Sequence, residues 1–127
     1  MNQNSEKTKK IIYWTLTGLV SLVFLGSAAG KFSGNEEALK MAGEFGLDAK
    51  TYTIIGVVEV ICLILFIIPR TGIIGTLLLA AYLGGAIATH LEHRVSIIAP
   101  CIIQAFLFIV AFYRFPELRN KLINSKS

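Results

Sequence analysis

The chain predicts an all-α fold: an integral membrane four-helix bundle with a short amphipathic helix between the first and second spans. Three observations carry this. Hydrophobic residues make up 54% of the sequence and its mean hydropathy is +0.67, more apolar surface than a soluble protein of this size can hide. That excess falls in blocks separated by charges, the pattern of bilayer spans. In the longest block, residues 52–90, two apolar runs meet at Pro69-Arg70-Thr71, and one carboxylate, Glu59, stands inside the first. The length suits a single domain, 1–127.

The first span is expected over about 11–30. It follows a polar, basic lead (Lys7, Lys9, Lys10) expected to be partly disordered, and it opens with Tyr13 and Trp14, rings that favour the headgroup boundary. Lysines, an apolar stretch and Ser27-Ala28-Ala29 also resemble a cleaved secretory signal. The longer apolar run and the three spans after it favour a retained span. Between 31 and 51, Asn35 offers an N-cap, Glu36 and Glu37 suit a positive helix end, and Gly46 a stop. Leu39, Ala42 and Phe45, with Met41, give that helix an apolar face for the membrane surface or the end of the bundle.

Asp48 is an N-cap candidate for the second span, about 52–68, and Pro69 with Gly72 brackets a turn that makes the third span, 72–89, its antiparallel neighbour. The third span carries small residues at i+4 spacing, Thr76, Ala80, Gly84 and Ala88, which allow close helix approach and suggest a central position. After a polar turn at 90–94, the fourth span covers about 95–115, with a kink expected at Pro100.

Four spans put both termini on one side. Lys7, Lys9, Lys10, Arg70, Arg114, Arg119, Lys121 and Lys126 lie there, two-thirds of the 12 Lys and Arg, so the positive-inside bias places both ends in the cytoplasm; the expected location is the cytoplasmic (inner) membrane. The net charge of +4 and pI near 9.2 then reflect an anionic bilayer rather than a nucleic acid.

Ser21, Glu59, Tyr82 and Gln104 fall near the midpoints of the four spans. Hydrogen-bonding groups in hydrocarbon turn inward and satisfy one another, so a polar core is expected in which Glu59 bonds Tyr82 and Gln104. Such bonds are often packing devices worth on the order of 0.6–2 kcal/mol. A mid-membrane carboxylate, at roughly 2.5–3.5 kcal/mol for insertion, is harder to explain by packing alone. Both readings of Glu59, packing and a ligand or proton site, stay open. An outer polar layer holds Lys31, Thr89 and His90. Lys31 either snorkels outward or turns toward Glu59, from which it stands roughly 14 Å in depth on ideal helices. His90 and His93 share a face, but no third ligand completes a metal set nearby. Cys62 and Cys101 read as separate apolar filler. No catalytic set or metal site is recognisable.

Gly26-Ser27-Ala28-Ala29-Gly30-Lys31-Phe32, Gly56-Val57-Val58-Glu59, Pro69-Arg70-Thr71-Gly72 and Ala81-Tyr82-Leu83-Gly84-Gly85-Ala86 with Thr89-His90 resemble, in order and placement, the DoxX-like family of small bacterial membrane proteins. The resemblance implies a four-helix membrane bundle and carries the family pattern onto Lys31, Gly56, Glu59 and His90. It also brings in relatives in a thiosulfate:quinone oxidoreductase, partners of membrane redox complexes, and a distantly similar animal receptor chaperone. The leading expectation is a non-catalytic bundle that binds a partner protein or a small apolar ligand around Glu59. The competing one is a subunit of a quinone-linked oxidoreductase complex, with a quinone beside Glu59 and Tyr82 and electrons from a partner. A proton-coupled carrier, the third, would require a homo-oligomer to enclose its path.

Overall fold

The computed structural model describes residues 3–123; Met1, Asn2 and the tail lysine Lys126 lie outside it. Six helices follow one another: α1 (Gln3–Ser33), α2 (Glu36–Glu44), α3 (Ala49–Ile67), α4 (Gly72–Glu92), α5 (Ile98–Arg114) and α6 (Pro116–Ile123), with a 3-10 turn at Pro69–Thr71 before α4. Described strands are absent. Three helical segments are long and apolar enough to cross a bilayer, namely Asn4–Ser33, Ala49–Ile67 and Pro69–Glu92; α5 with α6 forms a fourth only as a pair bent by 109°. The long helices close a ring in which α1 meets α3, α3 meets α4, α4 meets α5 and α5 returns to α1. Large apolar side chains point outward, Leu22 at 69% exposure among them, as lipid rather than water requires.

The inward stripe of α3 sets the vertical order. Tyr52, Gly56, Glu59, Leu63 and Phe66 recur at alternating spacings of four and three and are all buried, the track one helix face follows at 3.6 residues per turn. Below Glu59, Leu63 and Phe66 join Val20, Phe24, Leu79, Leu83, Leu107 and Val110 in a single apolar core. The facing stripe of α4 is Gly72, Gly75, Thr76, Leu79 and Leu83. A Cβ on Gly75 would stand 2.2 Å from the Phe66 amide nitrogen, so backbone meets backbone here. The expected i+4 ladder is corrected by this. Each i+4 step advances the face by about 40°, so the ladder leaves the contact after Thr76, and Gly84 and Ala88 end up exposed.

Other boundaries also move. The basic lead is helical from Gln3 onward. α5 starts at Ile98, not near 95, so Pro100 sits in its first turn. The amide that proline lacks would have had no helical partner there, and no interior kink results. In α2 the buried residues are Ala38 and Ala42, packed with Leu47 against Tyr52; Leu39 and Met41 face outward. Asn35 Oδ1 accepts from the Ala38 amide at 2.8 Å and Asp48 Oδ1 from the Thr51 amide at 2.7 Å. Gly46 takes φ +69° after α2, a left-handed turn that suits glycine.

Candidate functional site

Lys31 lies on the last turn of α1, and Gly56 is the reason it reaches the bundle interior. A Cβ placed on Gly56 would stand 3.1 Å from Lys31 Cβ and 3.0 Å from the Phe32 ring. The two helices therefore cross at Gly56, one turn of α3 before Glu59. Lys31 Nζ donates to Glu59 Oε1 at 3.1 Å and to Ser27 Oγ at 2.7 Å. Ser27 Oγ is also 3.3 Å from that carboxylate oxygen, and the Tyr82 hydroxyl donates to it at 3.2 Å. The carboxylate is 1% exposed and the lysine side chain 11%. Tyr52 and Tyr82 turn ring faces toward the ammonium, at 5.5 and 6.0 Å, an arrangement that favours a cation. A buried pair of this kind is held by its extra hydrogen bonds as much as by its charges.

The other expected members go elsewhere. Gln104 Nε2 donates to the Ala80 carbonyl at 3.2 Å, tying α5 to α4, and its Oε1 is buried without a partner among the described residues. The Ser21 hydroxyl donates to the Thr17 carbonyl at 2.7 Å, the self-satisfying bond serine makes on its own helix. Neither reaches Glu59. The expected cluster is corrected to Ser27, Lys31, Glu59 and Tyr82, because the crossing at Gly56, rather than the midpoints of the apolar runs, sets the level of α1 against α3.

In the outer layer, the Thr89 hydroxyl donates to the Gly85 carbonyl at 2.9 Å, and His90 Nδ1–H donates to the Ala86 carbonyl at 2.6 Å. The His90 ring lies 4.6 Å from the Phe45 ring. His93 binds the Thr89 carbonyl through Nδ1 at 3.1 Å, and among the described residues no three His, Cys, Asp or Glu gather around a common point. Cys62 is buried and Cys101 exposed, and both are free.

Above the ion pair opens a cavity of about 780 Å³, with Glu59, Lys31 and Tyr82 at its polar floor, Phe24, Leu83 and Ile103 on its walls, and α2 beside it through Ala38 and Phe45. This size suits a drug-sized or smaller molecule. Gly26, Gly30 and Gly85 also line it, and a Cβ on any of them would touch nothing within 4 Å. All three groups that reach the carboxylate converge on Oε1; among the described residues none donates to Oε2.

A second polar centre lies at the opposite end of the core. Arg114, 4% exposed, donates from Nη1 to the Phe66 carbonyl at 2.9 Å, and from Nη2 to the Ile67 carbonyl at 3.3 Å and the Tyr13 hydroxyl at 3.1 Å. The rings of Tyr13, Phe66 and Phe115 surround the guanidinium at 4.5–4.8 Å. It caps the negative end of α3. A basic residue at the end of an apolar span reads from sequence as a surface charge, and only the nearby aromatic residues hint otherwise.

These features define a helical membrane protein with a buried lysine–glutamate pair at the floor of a cavity. The chain belongs to the DoxX-like family, whose profile matches residues 15–113. No curated protein and no solved structure matches it.

Proposed function

We propose that this protein is a non-catalytic binding component of the cytoplasmic membrane, which accepts a small, largely apolar molecule or an apolar segment of a partner protein in the cavity above Glu59. The observation that supports this reading most is the convergence of Lys31, Ser27 and Tyr82 on one oxygen of a carboxylate that lines the cavity, with no donor to the second oxygen among the described residues. A buried ion pair does little for stability that packed apolar residues could not do. Glycines that leave open space along the same walls point the same way. The ligand would place a hydroxyl or N–H at Glu59 and its apolar body against Phe24, Leu83 and Ile103.

In this reading α5 is the fourth traversal, about 25 Å long at 1.5 Å per residue, and both termini face the cytoplasm. A second reading, a subunit of a quinone-linked oxidoreductase complex, draws on the same floor: Lys31 has a third N–H beyond those given to Ser27 and Glu59, which a quinone carbonyl beside Tyr82 would accept. Mass spectrometry of the gently extracted protein tests both. A co-purifying small molecule, retained by wild type and lost in Glu59→Gln and in the cavity-filling Gly85→Phe, is the expected result. A quinone in that position favours the second reading. Protein that folds and carries the same molecules in all three forms contradicts the site.

A further inference from the structure

We infer that the groove at the end of the bundle near the termini holds the phosphate of an anionic phospholipid. The groove, about 510 Å³, lies far from Glu59 and is framed by Lys9, Lys10, Tyr13, Trp14, Tyr113 and Arg119. Among the described residues three basic side chains face it from two helices, and none that line it carries a carboxylate; Glu6 and Glu117, the nearest acids in sequence, lie off it. Lysine and arginine are the groups that bind phosphate through charge-assisted hydrogen bonds.

Its surroundings identify the phosphate as a lipid's. Lys10 ends the charged lead of α1 just before the apolar run, which puts it at headgroup depth. α6 leaves α5 at 109°, so it runs along the bilayer surface when α5 stands across it, and Leu122 and Ile123 are exposed on it as on an interfacial helix. The groove is also built and held. Arg119 Nη1 donates to the Phe112 carbonyl at 3.2 Å, and the Tyr113 hydroxyl to the Lys9 carbonyl at 3.5 Å. Behind it the buried Arg114 donates to the Tyr13 oxygen at 3.1 Å, and among the described residues the Tyr13 O–H has no acceptor.

Trp14 is the one tryptophan in the chain and is 44% exposed in this groove. The full chain reconstituted in vesicles therefore reports on the site by its own fluorescence. Phosphatidylglycerol brominated on its acyl chains is expected to quench Trp14 more than brominated phosphatidylcholine at equal mole fraction. Lys9→Gln with Lys10→Gln should lower the relative binding constant about ten-fold for each charge removed, the loss expected of a hydrogen bond between charged groups. Lys7→Gln with Lys121→Gln, an equal charge change off the groove, should leave the preference in place. Arg119 is kept, because it also caps α5, and circular dichroism checks that each variant is helical. Equal quenching by the two lipids overturns the inference. An equal loss in the Lys7 and Lys121 variant also overturns it, as diffuse attraction. Displacement by inorganic phosphate beyond that by chloride of the same ionic strength overturns the lipid assignment.

Discussion

Lys31 and Gly56 touch across the α1–α3 crossing: Cβ of the lysine would stand 3.1 Å from a Cβ added to the glycine. This contact brings the ammonium within 3.1 Å of Glu59, one turn further along α3. Gly56→Ala requires Lys31 and Phe32 to yield by a few tenths of an ångström, whereas Gly56→Leu forces the helices apart. The alanine variant is expected to lose about 1 kcal/mol and the leucine variant about 3 kcal/mol or more, the range for overpacked cores. Unfolding in detergent micelles measures both, and a leucine variant as stable as wild type would contradict the crossing.

Gly75 and Gly84 should respond with opposite signs. A Cβ on Gly75 meets α3 backbone at 2.2 Å, and one on Gly84 meets nothing within 4 Å. Gly75→Ala should therefore cost about 1–3 kcal/mol. Gly84→Ala, in the interior of a helix, should stabilise by up to about 1 kcal/mol. The same unfolding assay reads the pair.

Arg114→Lys should not preserve stability, although it keeps the charge. The guanidinium divides its donors among two carbonyls and a phenol while its faces contact aromatic rings, and an ammonium cannot copy that fork. A loss of about 1.5–3 kcal/mol is expected, the worth of a hydrogen bond from a charged group. Hydrogen exchange of the last turn of α3 should quicken with it.

Asp48 gives the pH dependence outside the spans. Hydrogen bonds from Thr51, side chain first and amide second, hold its carboxyl below the ordinary 3.8. Because the folded value is the lower one, the cap's contribution is fully present above the unfolded value of about 3.8 and is lost as pH falls through the folded value. Protection of the Thr51 amide, its exchange relative to an unstructured peptide at the same pH, should fall on acidification in that window, and Asp48→Asn, which still caps, should abolish that change.

Helical class and membrane setting were legible in the sequence because they rest on composition and on runs of apolar residues. The caps at Asn35 and Asp48 were legible for the same local reason: each side chain satisfies an amide three residues on. What the sequence left hidden is relative level. Centring each span on its apolar run put Ser21 and Gln104 beside Glu59 and Lys31 roughly 14 Å from it in depth. The Gly56 crossing lowers Ser21 away from Glu59 and decides between the two Lys31 alternatives, and Gln104 is drawn instead to the Ala80 carbonyl of α4. Arg114 was hidden by the same logic, since its partners Phe66 and Tyr13 are distant in sequence and their meeting depends on how the helices align.

Lys31 and Glu59 act as one buried pair, and a double-mutant cycle measures that coupling. Lys31→Met strands the carboxylate, so alone it should destabilise by about 3–5 kcal/mol. Adding Glu59→Gln should recover part of that loss, with a coupling of about 1–3 kcal/mol in micelle unfolding. Losses that add within about 0.5 kcal/mol would show the two side chains to be independent and would rule out the buried pair.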